Sequence, residues 1–305
     1  MAEAGRSAGA TRREALAGVG RTAVVVVIFL IALAVVWEGA KALGGDPWRF
    51  TDAAGVETVY TPPLKWSIAS DLSLPHLWQI GEALARPVQR LQEQSLAQYL
   101  VGASVYTGRE AALGFLAGGL FGLVLAAVFV HSKLAERAFM PYIVASQTIP
   151  ILALAPLIAF AFGNGLVGIV IVASYLTFFP VTIAELRGLT SPDPRALELM
   201  RSCAASRWEI FWKLRMPASL PYLFAALKVA ATASIVGAIV GEGNPGGSPN
   251  GFGRAILNFN EQYATGPEKL WAAILFAGLL GLAFFLVVRI LEMVTLRGRP
   301  GAGAG

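Results

Sequence analysis

The chain has 305 residues, 56% hydrophobic and only 14% charged, with a mean hydropathy of +0.63; that is too apolar for a soluble domain of ordinary composition and marks an integral membrane protein. Its formal charge of +5 sits in short loops and tails, as the cytoplasmic bias of Lys and Arg requires, so it argues for membrane orientation and against nucleic acid. One cysteine, Cys203, excludes an internal disulfide framework and a cysteine metal cluster, and His76 and His131 are too far apart in sequence to suggest a zinc site or catalytic dyad.

Residues 1–22 are small and basic, carrying Arg6, Arg12, Arg13 and Arg21, and an apolar run at 23–43 follows. The run exceeds the h-region of a signal peptide and passes through Trp37-Glu38 without a cleavage site. It therefore reads as a retained first transmembrane helix behind a cytoplasmic tail, with Glu38 near the outer end where it can reach water. Residues 44–106 are polar and proline-containing, an extracytoplasmic segment that includes Tyr60-Thr61-Pro62-Pro63-Leu64. Leu77, Ile80, Leu84, Val88 and Leu91 recur at helical spacing and predict an amphipathic surface helix over about 78–100, kinked at Pro87.

A second span is expected from about Glu110 to Val130, where Gly114, Gly118 and Gly122 share one face and permit close helix approach. Residues 131–137 read as a short inside turn with Lys133 and Arg137. The third span, 138–162, holds Pro141, Pro150 and Pro156 within SQTIPILALAPLIAFAFG. Prolines break the backbone ladder of a spanning helix, and freed carbonyls are tolerated only against protein or a water-lined cavity. Gln147, Pro150 and Pro156 are therefore candidates for a translocation path; packing kinks are the plainer alternative. Gly163-Asn164-Gly165 forms a tight outer turn, and the fourth span, 166–184, ends near Glu185-Leu186-Arg187.

The long polar insertion RGLTSPDPRALELMRSCAASRWEIFWKLRMPASLP, from Arg187 to Pro221, follows. Two short helices are expected. Ser191 or Asp193 caps the first, with Pro192 and Pro194 tolerated in its opening turn, and Ser206-Arg207-Trp208-Glu209 is a capping box that opens the second. Neither approaches the ~20 residues of a membrane crossing, and Arg187, Arg195, Arg201, Arg207, Lys213 and Arg215 outnumber Asp193, Glu198 and Glu209, which puts the hairpin at the cytoplasmic surface. An amphipathic interfacial hairpin that only joins two spans would look similar.

The fifth span, 218–240, carries Lys228, about 10 Å in from Pro221 at a rise of 1.5 Å per residue. Such a lysine either snorkels to the cytoplasmic interface or faces the path or Glu185 as a cation. Glu242 ends this span; an outer loop rich in Gly, Pro and Asn, 243–269, leads to the sixth span, 271–293. Arg289, Arg297 and Arg299 mark the tail, 294–305, as inside.

Glu198-Leu199-Met200, then Ala204, then Leu214-Arg215-Met216-Pro217 resemble the EAA loop of binding-protein-dependent ABC importer permeases. The family's pattern is Glu-Ala-Ala, a glycine and a closing Ile/Leu-x-x-Pro; here Leu199 and Met200 replace the alanines and Ala204 the glycine, although alanine resists the positive φ that glycine allows. The Gly114-Phe115 pair resembles the second span of the nitrate, sulfonate and taurine branch. Pro150, Ala153, Pro156 and Leu157 are similar to its Pro-x-x-Ala-x-x-Pro-Leu segment, Glu242 matches a family glutamate, and Gly251-Phe252-Gly253 resembles its Gly-Leu-Gly. The resemblance covers about residues 105–293. It implies an all-α, six-helix, type I importer permease fold, with a permease core at 107–293 and a coupling hairpin at 187–218. It also implies that Glu198, Leu199, Met200, Ala204, Ser206, Trp208, Leu214 and Pro217 engage an ATPase subunit, and it adds Glu242 to Gln147, Pro150, Pro156 and Lys228 as candidates for the path or its outer gate; for Lys228 the family's basic residue at this place leaves both readings open.

On this resemblance the partners are an ATP-hydrolysing subunit, an extracytoplasmic solute-binding protein, a second and identical permease subunit and the lipid bilayer, with no cofactor and no catalysis in this chain. The solute is small and polar: nitrate, a sulfonate, taurine, or a heterocycle such as a pyrimidine precursor or riboflavin. An ion-coupled secondary carrier, the rival, would show intramembrane carboxylates and repeated halves; Glu38, Glu185 and Glu242 all fall near span ends, and no repeat is evident. An intramembrane enzyme would need a nucleophile with its base, or a metal motif, and no Walker A sequence, nucleophile elbow or HExxH is present.

Overall fold

Pro87 and Pro150 stand where helices end or begin, whereas Pro141, Pro156, Pro180 and Pro221 lie inside them, and small residues set how closely the helices approach. The computed structural model describes residues 24–25, 27–51, 57–88, 93–244, 248 and 250–296. The 1–22 tail, Leu91, Arg297 and Arg299 lie outside the described residues. Among those described, five helices are long and apolar enough to cross a membrane: α1 (Val27–Gly44), α3 (Leu96–His131), α6 (Leu166–Thr190), the continuous helix Arg207–Glu242, and α11 (Pro267–Thr295). A bent pair, α4 (Lys133–Ser146) and α5 (Ile151–Phe162), makes a sixth if counted as one span. The six-helix expectation is met in this sense.

The chain forms two compact units. The first comprises residues up to Leu96 together with Phe259–Ala272. In it α1 leads to an antiparallel hairpin, β1 (Trp48–Thr51) and β2 (Glu57–Tyr60), with Trp48 opposite Tyr60, and then to α2 (Leu77–Ala85). Polar groups on the last turns of α1 organise it. Lys41 is fully buried and donates to Asp71 Oδ1 and the Leu74 carbonyl, each at 2.6 Å. Glu38 accepts the Leu77 N–H at 2.8 Å and meets His76 Nδ1 at 2.8 Å. Trp78 stacks on His76, with ring centroids 3.7 Å apart, and burial pushes the His76 pKa below its ordinary value although the Glu38 hydrogen bond opposes it.

The amphipathic helix expected over 78–100 is not continuous. The residue before a proline is disfavoured in helical conformation, and Arg86 is extended at φ −81°, ψ 153°, so Pro87 ends α2 instead of kinking it. The chain re-pairs through a Pro87–Ser95 bridge and a Leu96 N–H to Arg86 carbonyl bond, and α3 starts there. The second span thus begins well before Glu110.

The second unit comprises Ala97–Asn258 and the chain from Ala273. The turn expected at 131–137 shrinks to Ser132, whose hydroxyl accepts the Ala135 N–H at 3.2 Å and so caps α4. The expected single third span is broken. α4 and α5 meet at 104°, because Pro150, lacking an N–H, stands as N-cap of a new helix after the bend at Gln147–Ile149. The carbonyl of Ser146, at the break, accepts the Tyr175 hydroxyl. Gly163, at φ +87°, then makes the turn that the sequence suggests.

Helix α6 is the centre of this unit. On one side it meets the glycine face of α3: a Cβ on Gly118 would come within 2.5 Å of the Ser174 carbonyl oxygen, and one on Gly122 within 2.7 Å of that of Phe178. On the other it meets α9 (Met216–Glu242), where a Cβ on Gly237 would come within 2.6 Å of Ala173 Cα. Helix α11 covers α9 through Val288 and Phe284 against Phe224 and Ala231.

Replacing Gly118 by valine therefore has no room to relax, since the clash is with backbone. The expected cost is about 1–3 kcal/mol or more, read as a lower thermal midpoint of the purified protein. Gly119→Ala, whose Cβ meets only Leu227 Cδ2 at 3.9 Å, serves as control; equal effects of the two would exclude glycine-mediated packing.

Candidate functional site

Helix α7 (Pro194–Ser202) opens where the sequence places a cap: Asp193 Oδ1 accepts the Arg195 N–H at 2.8 Å and Pro194 occupies the first turn. It closes in a Schellman arrangement, with the Ala205 N–H on the Met200 carbonyl at 3.0 Å and the Ala204 N–H on that of Arg201 at 2.9 Å. Ala204 sits at φ +57°, the left-handed conformation that the residue type resists, at a strain of roughly 1–2 kcal/mol. The turn geometry of a glycine is thus made with an alanine.

No residue of α7 is buried. Glu198 is exposed, Leu199 is 66% exposed, and Met200 is half-buried beneath them. Ser206 and Glu209 form the expected capping box at the start of α8 (Arg207–Ile210), and Trp208 is 66% exposed. The second short helix does not end, however. A π-helical turn, Phe211–Arg215, joins α8 to α9, with the Met216 N–H on the Phe211 carbonyl, so the hairpin runs directly into the fifth span. The wider turn seats Leu214 and admits Pro217 in the first turn of α9 without the carbonyl clash that a proline makes in a regular ladder.

Two contacts tie this foot of α9 to α6. Arg215 Nη1 donates to the Leu189 carbonyl at 3.1 Å, and the Ser219 hydroxyl donates to Glu185 Oε1 at 2.7 Å, with Glu185 buried. Beside the hairpin a cavity of about 410 Å³ is lined by His131, Arg201, Arg207 and Arg215 among others, and by no carboxylate.

The remaining candidates divide. Gln147 and Pro150 lie exposed on either side of the 104° break, and Pro156 is exposed within α5, beside Leu152, Leu157 and the 92% exposed Phe160. Lys228 neither snorkels free nor meets Glu185. Its Nζ is 2.7 and 3.0 Å from the two carboxylate oxygens of Glu292 on α11, and both side chains are three-quarters buried. Glu292 is not among the candidates read from the sequence; its one signal is that it is the single acid in the last apolar stretch. Glu242 does not open onto water either: it is fully buried, and its Oε2 accepts the Gly253 N–H at 2.8 Å. Beside it lies Glu110 of α3, also fully buried, a residue whose only sequence signal is its position as an acid inside an apolar run.

The family model described as the binding-protein-dependent transport system inner membrane component matches residues 118–293. The formylaminopyrimidine transport permease protein ThiX of Halalkalibacterium halodurans is 33% identical over 199 residues, 64% of this chain and 78% of the relative. The riboflavin transport system permease protein RibX of Chloroflexus aurantiacus is 31% identical over 167 residues, 55% of this chain and 61% of the relative. Among solved structures, a chain of an amino acid ABC transporter crystallised with histidines shares the fold at a TM-score of 0.52 and 17% identity, over 65% of this chain and 94% of that one.

Removing one partner of the Lys228–Glu292 pair leaves an uncompensated charge inside the helix bundle, at a cost of about 2–3 kcal/mol after allowing for partial exposure. Lys228→Met and Glu292→Gln should each lower the thermal midpoint, and the double variant should recover most of the loss. Additive losses would show that the pair does not act as a unit.

Proposed function

Because the chain belongs to the binding-protein-dependent transport system inner membrane components, the multi-pass plasma-membrane permease subunits of ABC importers of small solutes, we propose that α7 is its coupling helix, docked in a cleft of the ATPase subunit. The observation that carries this is the exposure of α7: a capped helix of nine residues between two spans that buries nothing within its own chain. Leu199 and Trp208, with Glu198 at the rim, offer the apolar and polar surface for such a dock, and Leu214 and Pro217 sit where α8 turns into α9. Motion of the hairpin would then pass to α9 as one rigid piece and to α6 through Arg215 and Glu185, a rigid-body switch driven by ATP binding and reset by hydrolysis in the partner subunit.

The translocation path runs between two copies of this chain, with the break at Gln147–Pro150 and the exposed face of α5 turned to the partner. Backbone freed at membrane depth belongs against protein or a water-filled cavity, which supports that placement. Lys228 is held in a structural ion pair and Glu242 behind the path wall. Both termini are inside, on the strength of the basic tails. The cargo is a small polar heterocycle handed over by an extracytoplasmic binding protein, in line with the formylaminopyrimidine and riboflavin of the two relatives' names.

Glu198→Arg should reduce uptake to background and weaken co-purification of the ATPase while leaving membrane insertion unchanged; normal uptake with the ATPase still bound would overturn the coupling assignment. For the cargo, uptake of labelled riboflavin or formylaminopyrimidine by cells carrying the complete system should be saturable. Competition by taurine or an alkane sulfonate, with no uptake of either heterocycle, would move the substrate class to sulfonates.

A further inference from the structure

Two spans and one turn of the second unit converge on a pair of acids. Glu110 of α3 and Glu242 at the end of α9 are both fully buried, and their carboxyl groups lie close enough to interact. Glu242 Oε2 accepts the Gly253 N–H at 2.8 Å, and Thr107 Oγ1 accepts the Phe252 N–H at 3.0 Å, so α10 (Phe252–Glu261) has its first turn held by one acceptor from α9 and one from α3. Gly251 passes so close to the Glu242 carboxyl that a Cβ there would collide with it. Among the described residues, no donor forms a well-placed hydrogen bond to Glu242 Oε1 or to either oxygen of Glu110; the Tyr106 hydroxyl lies near Glu110, and the Thr107 hydroxyl near Glu242.

Among the described residues, no ammonium or guanidinium group makes a salt bridge to either acid, although the Arg109 guanidinium is near enough to Glu110 to act on it through space. The other titratable groups that act on the two acids are Tyr99, Tyr106 and Arg109, all of α3. The Arg109 guanidinium lies over the Tyr106 ring, 5.6 Å from its centroid. Ala111, the residue after Glu110, packs in an apolar cluster with Ile169 of α6, Ile235 and Ala238 of α9 and Leu280 of α11. Two carboxylates side by side in such a medium cannot both stay ionised without a cation between them.

We propose that Glu110 and Glu242 form a buried site for one small cation, a proton or a sodium ion, which fastens the start of α10 to α3 and α9. Glu242 is the fixed anion, held by the Gly253 N–H at the positive end of α10. Glu110 is the variable member. As the acid it donates its O–H to the open Oε1 of Glu242; with sodium, its two oxygens and that same Oε1 supply the first ligands. Loss of the cation sets two anions against each other and loosens the turn at 250–253, coupling the occupancy of the site to the hold on α10. This does not depend on the coupling role of α7.

The test uses the full chain in lipid nanodiscs, measured in sodium and in choline at equal ionic strength, in acidic and in alkaline buffer. A protonated-carboxyl infrared band in wild type that disappears in Glu110→Gln assigns a proton. A thermal midpoint raised by sodium over choline in wild type, with the rise abolished in Glu110→Gln, assigns sodium. The neutral, isosteric glutamine should itself keep the wild-type midpoint. Absence of both signatures, or their persistence in Glu110→Gln, overturns the site. Should that variant fail to fold, protection factors of the Phe252 and Gly253 amides in wild type, taken after dividing out the intrinsic base-catalysed exchange rate at each pH, decide: protection is expected to fall in alkaline choline buffer, and protection unchanged by both pH and sodium would refute the proposal.

Discussion

The second unit depends on how closely α6 is gripped from two sides. Helix pairs in lipid gain no hydrophobic driving force, so dispersion and close backbone approach must hold them, and both need small residues at the seam. Gly114, Gly118 and Gly122 on α3, and Gly237 and Gly241 on α9, supply them, and the Ser174 hydroxyl adds a bond to the Gly114 carbonyl at 3.2 Å. Because the seams are backbone against backbone, they have little freedom to slide, and α6 with α9 behaves as a stiff element.

Charge is handled in three distinct ways inside the same bundle. Lys228 and Glu292 neutralise each other. Glu185 is buried against a single serine hydroxyl, and Glu110 and Glu242 are buried against each other. The first is the ordinary solution for ionisable groups in a bilayer; the last is costly, and groups kept at that cost within spans serve function more often than stability. The location of the acid pair, at the corner where α9 gives way to α10, places that cost where a span ends and a turn has to be held.

The hairpin shows how local chemistry and exposure separate. Its caps follow from residue type: Asp193, Ser206 and Glu209 bond the amides that capping rules assign to them. At Ala204 the chain accepts left-handed strain that a glycine would avoid, and the two Schellman bonds over-determine the turn. What the residue types did not reveal is that α8 never stops, because the only interruption is a π turn and not a break.

Composition, or spacing within a few turns of one helix, is enough to establish the membrane class, the apolar segments, the helix caps, the glycine face and the hairpin motif. Tertiary structure alone decided whether Pro87 and Pro150 kink or end a helix, because that depends on whether neighbours, such as the Tyr175 hydroxyl at Ser146, satisfy the freed backbone groups. It alone decided the partners of the buried charges. Lys228 and Glu292 are 64 residues apart, and Glu110 and Glu242 lie on different spans. Helical periodicity tells which face a side chain is on; only the packing of one helix against another tells what that face meets.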